Sequence, residues 1–388
     1  MIIPNGSPHL PAAPKTLPAG RPRRLVFAGE AIVDVVMRVP ALPPRGGDLL
    51  ATSAEVAVGG GFNVMAAAAR QGLPVLYAGG HGTGPWGDLV RAALAAEGIG
   101  LLRPPDPSRD TGFDVALVEP DAERTFVTAL GAESVDEPGG WDAISAGPGD
   151  AVYVSGYGLV APGSGPGLGR WAAALPPAAL LFVDPGPLVA QIPPAVLDPV
   201  LARCDWLSCN AREAALLTGV TAHEAVPLLL ARTARANVIV RLGPDGCLLA
   251  IRPSTTDGAP ATDAAPATDG SPATDAAPAT DAAPATDAAP ATDAAPATDA
   301  APATDAARPR VPGGSAAPDH IPAPAVHAVD TTGAGDAHAG VFLAALADGL
   351  SAADAARRAN AAAALAVTRP GPATRPTRAE LDAWLSQR

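Results

Sequence analysis

Lysine is almost absent from this chain of 388 residues, and the single one, Lys15, lies close to the N-terminus. Walker-A nucleotide-binding proteins need a lysine in the phosphate loop, and protein kinases need one on the third strand. Both classes are therefore excluded, as is Schiff-base chemistry on a core lysine. Any phosphate that this protein handles has to be held by backbone N–H groups, arginine or a metal ion.

Cysteines and aromatic residues are also scarce, with three cysteines and 4% aromatics. An odd, small number of cysteines argues against a disulfide framework and predicts a cytoplasmic protein. Cys204 and Cys209 lack further ligands at zinc-site spacing. The formal net charge of −13 disfavours nucleic acid and anionic membranes as partners. No apolar run approaches the roughly 20 residues that a membrane span needs.

Two segments differ in composition from the rest of the chain. Residues 1–23 are rich in proline and lack the apolar region of a signal peptide, which predicts a disordered tail. From residue 259 to 306 the hexapeptide APATDA recurs eight times with small variations, and it cannot bury enough apolar surface to offset its ordering entropy. We expect a disordered insertion over 253–318 within a domain spanning 24–388. Both an acidic spacer and an expanded coding repeat tolerated in a loop remain open.

The remaining sequence alternates between strand-like and helix-like segments. Apolar runs at 24–37, 151–155, 180–183, 206–208 and 238–242 predict buried strands, and helical spacing is found at 63–71, 87–97, 337–348 and 352–367. This order predicts a mainly parallel sheet with helices on both faces. Residues 48–58 and 112–128 alternate apolar and polar residues, as half-exposed antiparallel strands do. The repeat should join a strand at 247–251 to another at about 323–329.

The string DTTGAGD at residues 330–336 lies between a predicted strand and an apolar helix. Its glycines allow the backbone to approach an anion closely, and the first turn of the following helix offers free N–H groups. Gly333, Ala334 and Gly335 are therefore candidates for an anion hole. Asp336 is the candidate base that takes a proton from a hydroxyl beside that anion.

A second glycine-rich string, GGGFN at residues 59–63, precedes another predicted helix. Asn63 offers both a donor and an acceptor to a polyol. Together the two strings resemble the signature motifs of the ribokinase-like (PfkB) carbohydrate kinase family, and further similarity runs from about residue 25 to 385. The resemblance implies a three-layer α/β/α sandwich with a mainly parallel central sheet and a small β-sheet lid formed by strands at about 36–58 and 112–130.

The resemblance also implies transfer of phosphate from ATP to an alcohol, with Asp336 as the base. By position in the family pattern, Asp34, Gly60, Gly61 and Asn63 bind the acceptor. The implied nucleotide-side residues are Asn210, Glu213, Leu242, Gly243, Thr332 and Asn360. Among these, Glu213 would act on Mg²⁺ through water, which suits an ion that keeps several waters. Leu242, Gly243 and Asn360 fit equally well as ordinary turn and helix-packing residues.

Some positions depart from the family pattern. Many sugar kinases carry an Asn and then an Arg after Asp184, whereas this chain has Pro185-Gly186-Pro187, which puts the usual phosphorylated-sugar or ketose preference in doubt. His338 stands where an aromatic residue is common, and we interpret it as helix packing. The segment 369–373 only loosely resembles the part that binds a monovalent cation, so activation by such a cation is left open.

Several functional alternatives also remain. The acceptor can be a sugar or a nucleoside; the sparse aromatics near the lid, Phe62 and Phe113, favour a sugar because bases tend to stack. A non-catalytic metabolite-binding protein of the same fold is the alternative from another class, and the intact Asp336 argues against it. Because lid sheets pair between subunits in several relatives, a homodimer is a further expectation.

Overall fold

Two β-sheets of unequal size organise the structure, a computed structural model that describes residues 21–121, 123–135, 140–252, 317–371 and 375–388. The strands are β1 Arg24–Ala28, β2 Ala31–Arg38, β3 Ser53–Gly60, β4 Val75–Tyr77, β5 Gly100–Leu101, β6 Phe113–Val118, β7 Arg124–Ala129, β8 Asp150–Ser155, β9 Leu180–Asp184, β10 Trp206–Asn210, β11 Asn237–Arg241, β12 Cys247–Ala250 and β13 Asp319–Ile321. The helices are α1 Phe62–Arg70, α2 Pro85–Ala96, α3 Gly156–Val160, α4 Gly165–Ala173, α5 Pro194–Arg203, α6 Ala211–Thr218, α7 Ala222–Arg232, α8 Ala334–Ala347, α9 Ala352–Ala366 and α10 Arg378–Leu385.

The large sheet has the strand order β13-β12-β11-β10-β9-β8-β1-β4-β5. Its strands run parallel from β5 to β11; β12 pairs antiparallel with β11, and β13 pairs antiparallel with β12. Both faces are buried: Leu25 and Phe27 of β1 pack in a cluster with α1, α2, α8 and α9, whereas Val26 and Ala28 pack with α4, α5 and α7. Burial on both faces requires apolar residues at successive positions of a strand. The predicted three-layer α/β/α architecture is confirmed.

The small sheet, called the lid sheet below, has the order β3-β2-β6-β7. Within it, β2 pairs antiparallel with β3 and parallel with β6. The apolar run at 24–37, predicted to be one strand, is in fact β1 and β2, which belong to different sheets. They separate at Gly29, where an added Cβ would lie 2.7 Å from Cβ of Ser155. A glycine is needed there because the backbone passes close to the end of β8.

Other predicted boundaries need correction. The lid sheet begins at Ala31 and β3 begins at Ser53, not at 36 and 48. The strand predicted at 323–329 is wrong: β13 is Asp319–Ile321, and the prolines at 322 and 324 cannot donate to a strand ladder. Residues 21–23 belong to the fold, since Arg23 N–H donates to Gly149 O at 2.7 Å. Residues 1–20 and most of the predicted insertion (253–316) lie outside the described residues.

Within the described ranges, no single helix is long and apolar enough to cross a membrane. The bent pair α6 and α7 passes that test together, by length and composition only.

The β12–β13 pairing predicts the effect of removing the repeat. Leu249 lies opposite Asp319, so the two strands need only a short connection. Replacing residues 253–316 with a six-residue Gly/Ser linker should keep the fold and stabilise it by up to about 2 kcal/mol, because closing a shorter loop costs less entropy. Urea unfolding of both proteins measures the change. A scrambled repeat of the original length is the control and should match the parent, whereas unfolding of the shortened protein would contradict the expectation.

Candidate active site

The candidate site lies at the edge of the large sheet where the parallel strands end. The chain order reverses at β1, because β4 pairs with one of its sides and β8 with the other. Such a switch point opens a crevice at the carboxyl ends of the strands. Polar or charged residues occupy these ends: Ser155 on β8, Asp184 on β9, Asn210 on β10 and Arg241 on β11.

Asp336 lies in the first turn of α8, behind the glycine-rich turn. Gly333 caps the helix at φ 71°, a left-handed conformation that favours glycine. The backbone bond from Ala337 N–H to Gly333 O, at 2.8 Å, begins the helix, so the preceding N–H groups have no partner within it. The N–H of Ala334 donates to Thr331 O at 3.3 Å. The helix dipole and the remaining N–H groups suit this turn to an anion.

The electrostatic surroundings of Asp336 are mixed. The residue keeps some contact with solvent. Burial nevertheless raises the pKa of its carboxyl above the ordinary value, while the charge of Arg375 opposes that rise. Asp184 raises the pKa further, and a hydrogen bond from Asn63 lowers it. A carboxylate in such a balance can accept a proton from a neighbouring hydroxyl.

Arg375 is a buried cation of the site that no sequence motif marks. Only 2% of its surface is exposed, and none of its three guanidinium nitrogens has a hydrogen-bond partner among the described residues. Burial lowers its pKa to about 10, against the opposing charges of Asp336 and Asp34. Because it stands alone in a loop without a characteristic neighbour, sequence reasoning misses it.

The predicted acceptor residues lie where the lid sheet joins the large sheet. Asp34 is on β2 and Asn63 is in the first turn of α1, and both are at most 8% exposed. Burial raises the pKa of Asp34 to about 7, with the charges of Asp114 and Asp336 adding to the effect. The structure thus brings Asp34 and Asn63 together with Asp336; the two motifs carry Asn63 and Asp336, and the family pattern marks Asp34.

The glycines before α1 allow close packing. A Cβ on Gly59 would overlap the carboxylate of Asp34, and one on Gly61 would overlap the ring of Phe27. Gly60 has φ 57°, which a side chain would strain. These glycines therefore set the position of Asp34 and the start of α1. Direct contact of Gly60 and Gly61 with an acceptor stays a prediction.

Arg241 joins three strand ends beside the glycine-rich turn. Its Nη1 donates to Asp184 Oδ2 at 2.8 Å and to Ser208 Oγ at 2.6 Å, and its Nη2 lies 3.5 Å from Glu213 Oε2. A Cβ on Gly335 would lie 3.6 Å from the guanidinium. Although burial lowers it, the pKa of Arg241 is raised overall by Asp184 and Glu213. Arg241 was not predicted from the sequence. Its position directly before the predicted Leu242-Gly243 pair is the sequence feature that could have marked it as a site residue.

Asn210 and Glu213 form a reciprocal cap at the start of α6. Glu213 N–H donates to Asn210 Oδ1 at 2.9 Å, and Asn210 N–H donates to Glu213 Oε2 at 2.7 Å. The other carboxylate oxygen, Oε1, accepts from Asn210 Nδ2 at 2.8 Å. Both oxygens of Glu213 are thus engaged, which suits an action on a metal ion through water better than direct ligation. That role stays a prediction.

The other predicted nucleotide residues occupy turn and packing positions. Gly243 has φ 63°, and Leu242 N–H donates to Gly246 O at 2.7 Å in the tight turn after β11. Asn360 is buried on α9, where its Nδ2 donates to Ile321 O at 2.9 Å. These local hydrogen bonds give Leu242, Gly243 and Asn360 a structural role that does not require a nucleotide. Contact of these residues with ATP stays a prediction.

His338 packs inside α8, in agreement with its interpretation as a packing residue. It is 3% exposed, and its ring stacks on Phe342 with centroids 6.4 Å apart. Burial lowers its pKa to about 3, so the imidazole is neutral at physiological pH.

Asp330, the first residue of the DTTGAGD string, connects three parts of the site. Its Oδ1 accepts from Thr332 N–H at 2.9 Å and Thr332 Oγ1 at 2.6 Å, and it forms an ion pair with Arg124 of β7. Its Oδ2 accepts from Gly371 N–H at 3.2 Å. The glycine-rich turn is therefore fixed to the lid sheet and to the loop after α9. Thr332 donates two of the hydrogen bonds that hold the Asp330 carboxylate in this position.

A cleft runs between the lid sheet and the glycine-rich turn. Its lid side includes Asp34, Glu55 and Phe126, and its opposite side includes Asp330 and Gly371.

The aromatic residue in the cleft differs from those named from the sequence. Phe126 is 53% exposed there, whereas Phe62 is buried in the core and Phe113 packs against Trp86 with ring centroids 5.7 Å apart. Strand alternation decides the difference, because Phe126 faces the cleft from β7 together with Arg124.

The arrangement matches a known family. Over residues 22–269 and 315–379 the chain matches the model of the pfkB family carbohydrate kinases. The chain belongs to the PfkB family of carbohydrate kinases. As a member it is an ATP-dependent carbohydrate kinase, and the recognition made from the two motifs is confirmed.

Relatives of this PfkB protein are found among sequences and structures. It is 30% identical over 362 residues to the uncharacterized sugar kinase YegV of Escherichia coli, covering 92% of each chain. The fold matches the ribokinase of Arabidopsis thaliana complexed with ribose and ATP, with a TM-score of 0.64, 20% identity, and coverage of 94% of this chain and 99% of that one. It also matches the aminoimidazole riboside kinase of Salmonella enterica, with a TM-score of 0.63, 21% identity, and coverage of 93% and 100%.

Glu30, between β1 and β2, predicts a pH dependence of stability. Its Oε2 is buried without a hydrogen-bond partner among the described residues, and burial raises its pKa to about 8. The folded pKa lies above the ordinary value of 4.5, so its stabilising contribution is present at acid pH and is lost as pH rises toward 8. Glu30→Gln should therefore gain stability relative to the parent by up to about 1.4 kcal/mol per pH unit over that range.

Urea unfolding at pH 5.5 and 8.5 measures this difference for the parent and Glu30→Gln. Glu119→Gln, at a half-buried position directly after β6, is the matched control and should follow the parent. Equal pH dependence in parent and Glu30→Gln would contradict the assignment.

Proposed function

We propose that this kinase transfers the γ-phosphate of Mg·ATP to a hydroxyl of a small sugar or sugar-like acceptor, with Asp336 as general base. The observation that carries the proposal is the position of Asp336: a carboxylate at the N-terminus of a buried helix, directly after a glycine-rich turn and beside Asn63. Proton acceptor and anion site are thus adjacent, as in-line phosphoryl transfer to an alcohol requires.

The reaction proceeds in one displacement. Asp34 and Asn63 orient the acceptor, and Asp336 takes the proton of its hydroxyl as the oxygen bonds to the γ-phosphorus. The bond from that phosphorus to the β–γ bridging oxygen breaks, and ADP leaves. Backbone N–H groups at Gly333 and Gly335 stabilise the developing charge, whereas the N–H of Ala334, predicted with them, donates to Thr331 O in this structure. One such donor typically contributes about 10²–10³ in rate.

Arg241 and Glu213 act on the phosphate side. Arg241 places a buried positive charge beside Gly335, the kind of charge that lysine supplies in other phosphate sites. The Mg²⁺ ion neutralises phosphate charge when bound, and Glu213 would orient its water shell. Asn210, Leu242, Gly243, Thr332 and Asn360 complete the proposed nucleotide side. ATP use is supported by structural neighbours crystallised with ATP or ADP.

A nucleoside is the second candidate acceptor, and Phe126 is the observation that favours it. Its exposed ring in the cleft can stack on a base. The Salmonella neighbour was crystallised with aminoimidazole riboside and an ATP analogue. An acceptor panel has to contain both classes.

The role of Asp336 predicts the effect of Asp336→Asn. Loss of the base should lower kcat by about 10²–10⁴ with the KM for ATP little changed. ADP release from Mg·ATP, measured over pentoses, hexoses, sugar acids and nucleosides, tests this. Asp348→Asn, at the other end of α8, is the matched control and should retain parental activity. Full acceptor-dependent turnover by Asp336→Asn would refute the proposed base.

A further inference from the structure

A second carboxylate faces the acceptor region from the lid sheet. Strands β2 and β6 run parallel with Asp34 paired to Asp114, and paired residues of adjacent strands present their side chains on the same face. Both residues are 8% exposed. The pair therefore lies side by side on the face of the lid sheet that lines the cleft.

No ion pair or hydrogen bond to either carboxylate is found within the described residues, and Asp114 Oδ1 is buried without a partner. A buried unpaired carboxylate is costly. Burial raises the pKa of Asp114 to about 6, and Asp114 in turn contributes to the raised pKa of Asp34. Arg375 opposes the raised pKa of Asp34, but no charge compensates Asp114 among the described residues.

The neighbouring polar atoms indicate what kind of ligand compensates them. Asn63 is 4% exposed, its Oδ1 has no partner among the described residues, and its side chain already acts on Asp336. The open positions on Asp34, Asp114 and Asn63 are all hydrogen-bond acceptors. Their complement is a ligand that offers several hydroxyl donors. Arg375 acts on Asp336 and Asp34 but is not among the charges that act on Asp114, so a negatively charged group of the ligand beside Asp114 would be repelled.

We propose that Asp114 binds the acceptor together with Asp34, and that this pair selects neutral polyols with adjacent free hydroxyl groups over sugar acids and sugar phosphates. The inference rests on the proposed kinase function and names its substrate class. Asp114 is a specificity residue contributed by β6, separate from the two glycine-rich motifs.

The test compares Asp114→Asn with Glu123→Gln, which removes a lid carboxylate of the exposed β6–β7 connection. Because loss of a hydrogen bond to a charged group costs about 1.5–3 kcal/mol, the acceptor KM of Asp114→Asn should rise about ten- to hundredfold. The KM for ATP should stay unchanged. The kcat/KM for D-gluconate relative to D-ribose and D-fructose should increase at least about tenfold by the same magnitude. Glu123→Gln should match the parent in each measurement.

Three outcomes would overturn the proposal: an acceptor KM unchanged in Asp114→Asn, a fall in kcat alone, or a parental preference for D-gluconate. The amide is nearly isosteric and removes an unpaired buried charge, so folding should be retained. Unfolding midpoints check this, and Asp114→Ser provides a second variant if the amide perturbs the sheet.

Calorimetric titration with the same sugars separates this inference from the proposed function. Parental binding of a neutral sugar that weakens in Asp114→Asn supports the acceptor site even if turnover is absent and the kinase proposal fails. Turnover that survives with unchanged acceptor affinity in Asp114→Asn overturns the specificity role and leaves the kinase proposal intact. A parent that neither converts nor binds any neutral sugar overturns the inference.

Discussion

The site depends on the burial of helix α8. Its residues Ala337–Ala345 are all buried, so the helix has no polar face and must be enclosed by the core. Gly340 permits this, because a Cβ there would lie 2.5 Å from Val64 O of α1. Enclosure fixes the N-terminus of α8 at the carboxyl edge of the sheet. The glycine-rich turn and Asp336 are therefore placed by core packing.

The charged residues at that edge of the sheet form two groups. Arg241 binds Asp184 and lies near Glu213 on the side of the later strands. On the acceptor side, Arg375 is the nearby cation for Asp336 and Asp34, and it carries no hydrogen bond to either. The charge of Arg241 in the first group is compensated within the protein by these two carboxylates. In the second group, the guanidinium nitrogens of Arg375 have no hydrogen-bond partner among the described residues. Such unpaired buried groups are expected in a site that binds a polar ligand.

The lid sheet and the glycine-rich turn are mechanically connected. Asp330 pairs with Arg124 of β7 and accepts from Gly371 N–H. Burial opposes it, but the hydrogen bonds from Thr332 and the charge of Arg124 hold the pKa of Asp330 below its ordinary value. Asp330 therefore stays ionised, and the ion pair persists, over the neutral pH range. Movement of the lid sheet would therefore change the position of the turn that precedes Asp336.

The sequence predicts the layers of the fold because buried parallel strands and Ala-rich helices have distinct patterns. It also predicts the neighbourhood of Asp336, Asp34 and Asn63, since two short strings carry Asp336 and Asn63 and the family pattern marks Asp34. It does not predict Asp114, Arg375 or Phe126. Their positions depend on strand register and on a loop that returns to the core, and neither is encoded in local pattern. The single strand expected at 24–37 fails for the same reason, because pairing partners decide where it divides.

In the proposed reaction, Asp336 and the turn before it promote the transfer of phosphate from ATP to an alcohol. The most direct measurement follows the label from [γ-³²P]ATP in the presence of a neutral polyol. We expect the label to appear in a phosphate monoester of that polyol, and Asp336→Asn to form this product about 10²–10⁴-fold more slowly. Label that appears only as inorganic phosphate, or as the same monoester at an equal rate with Asp336→Asn, would contradict it.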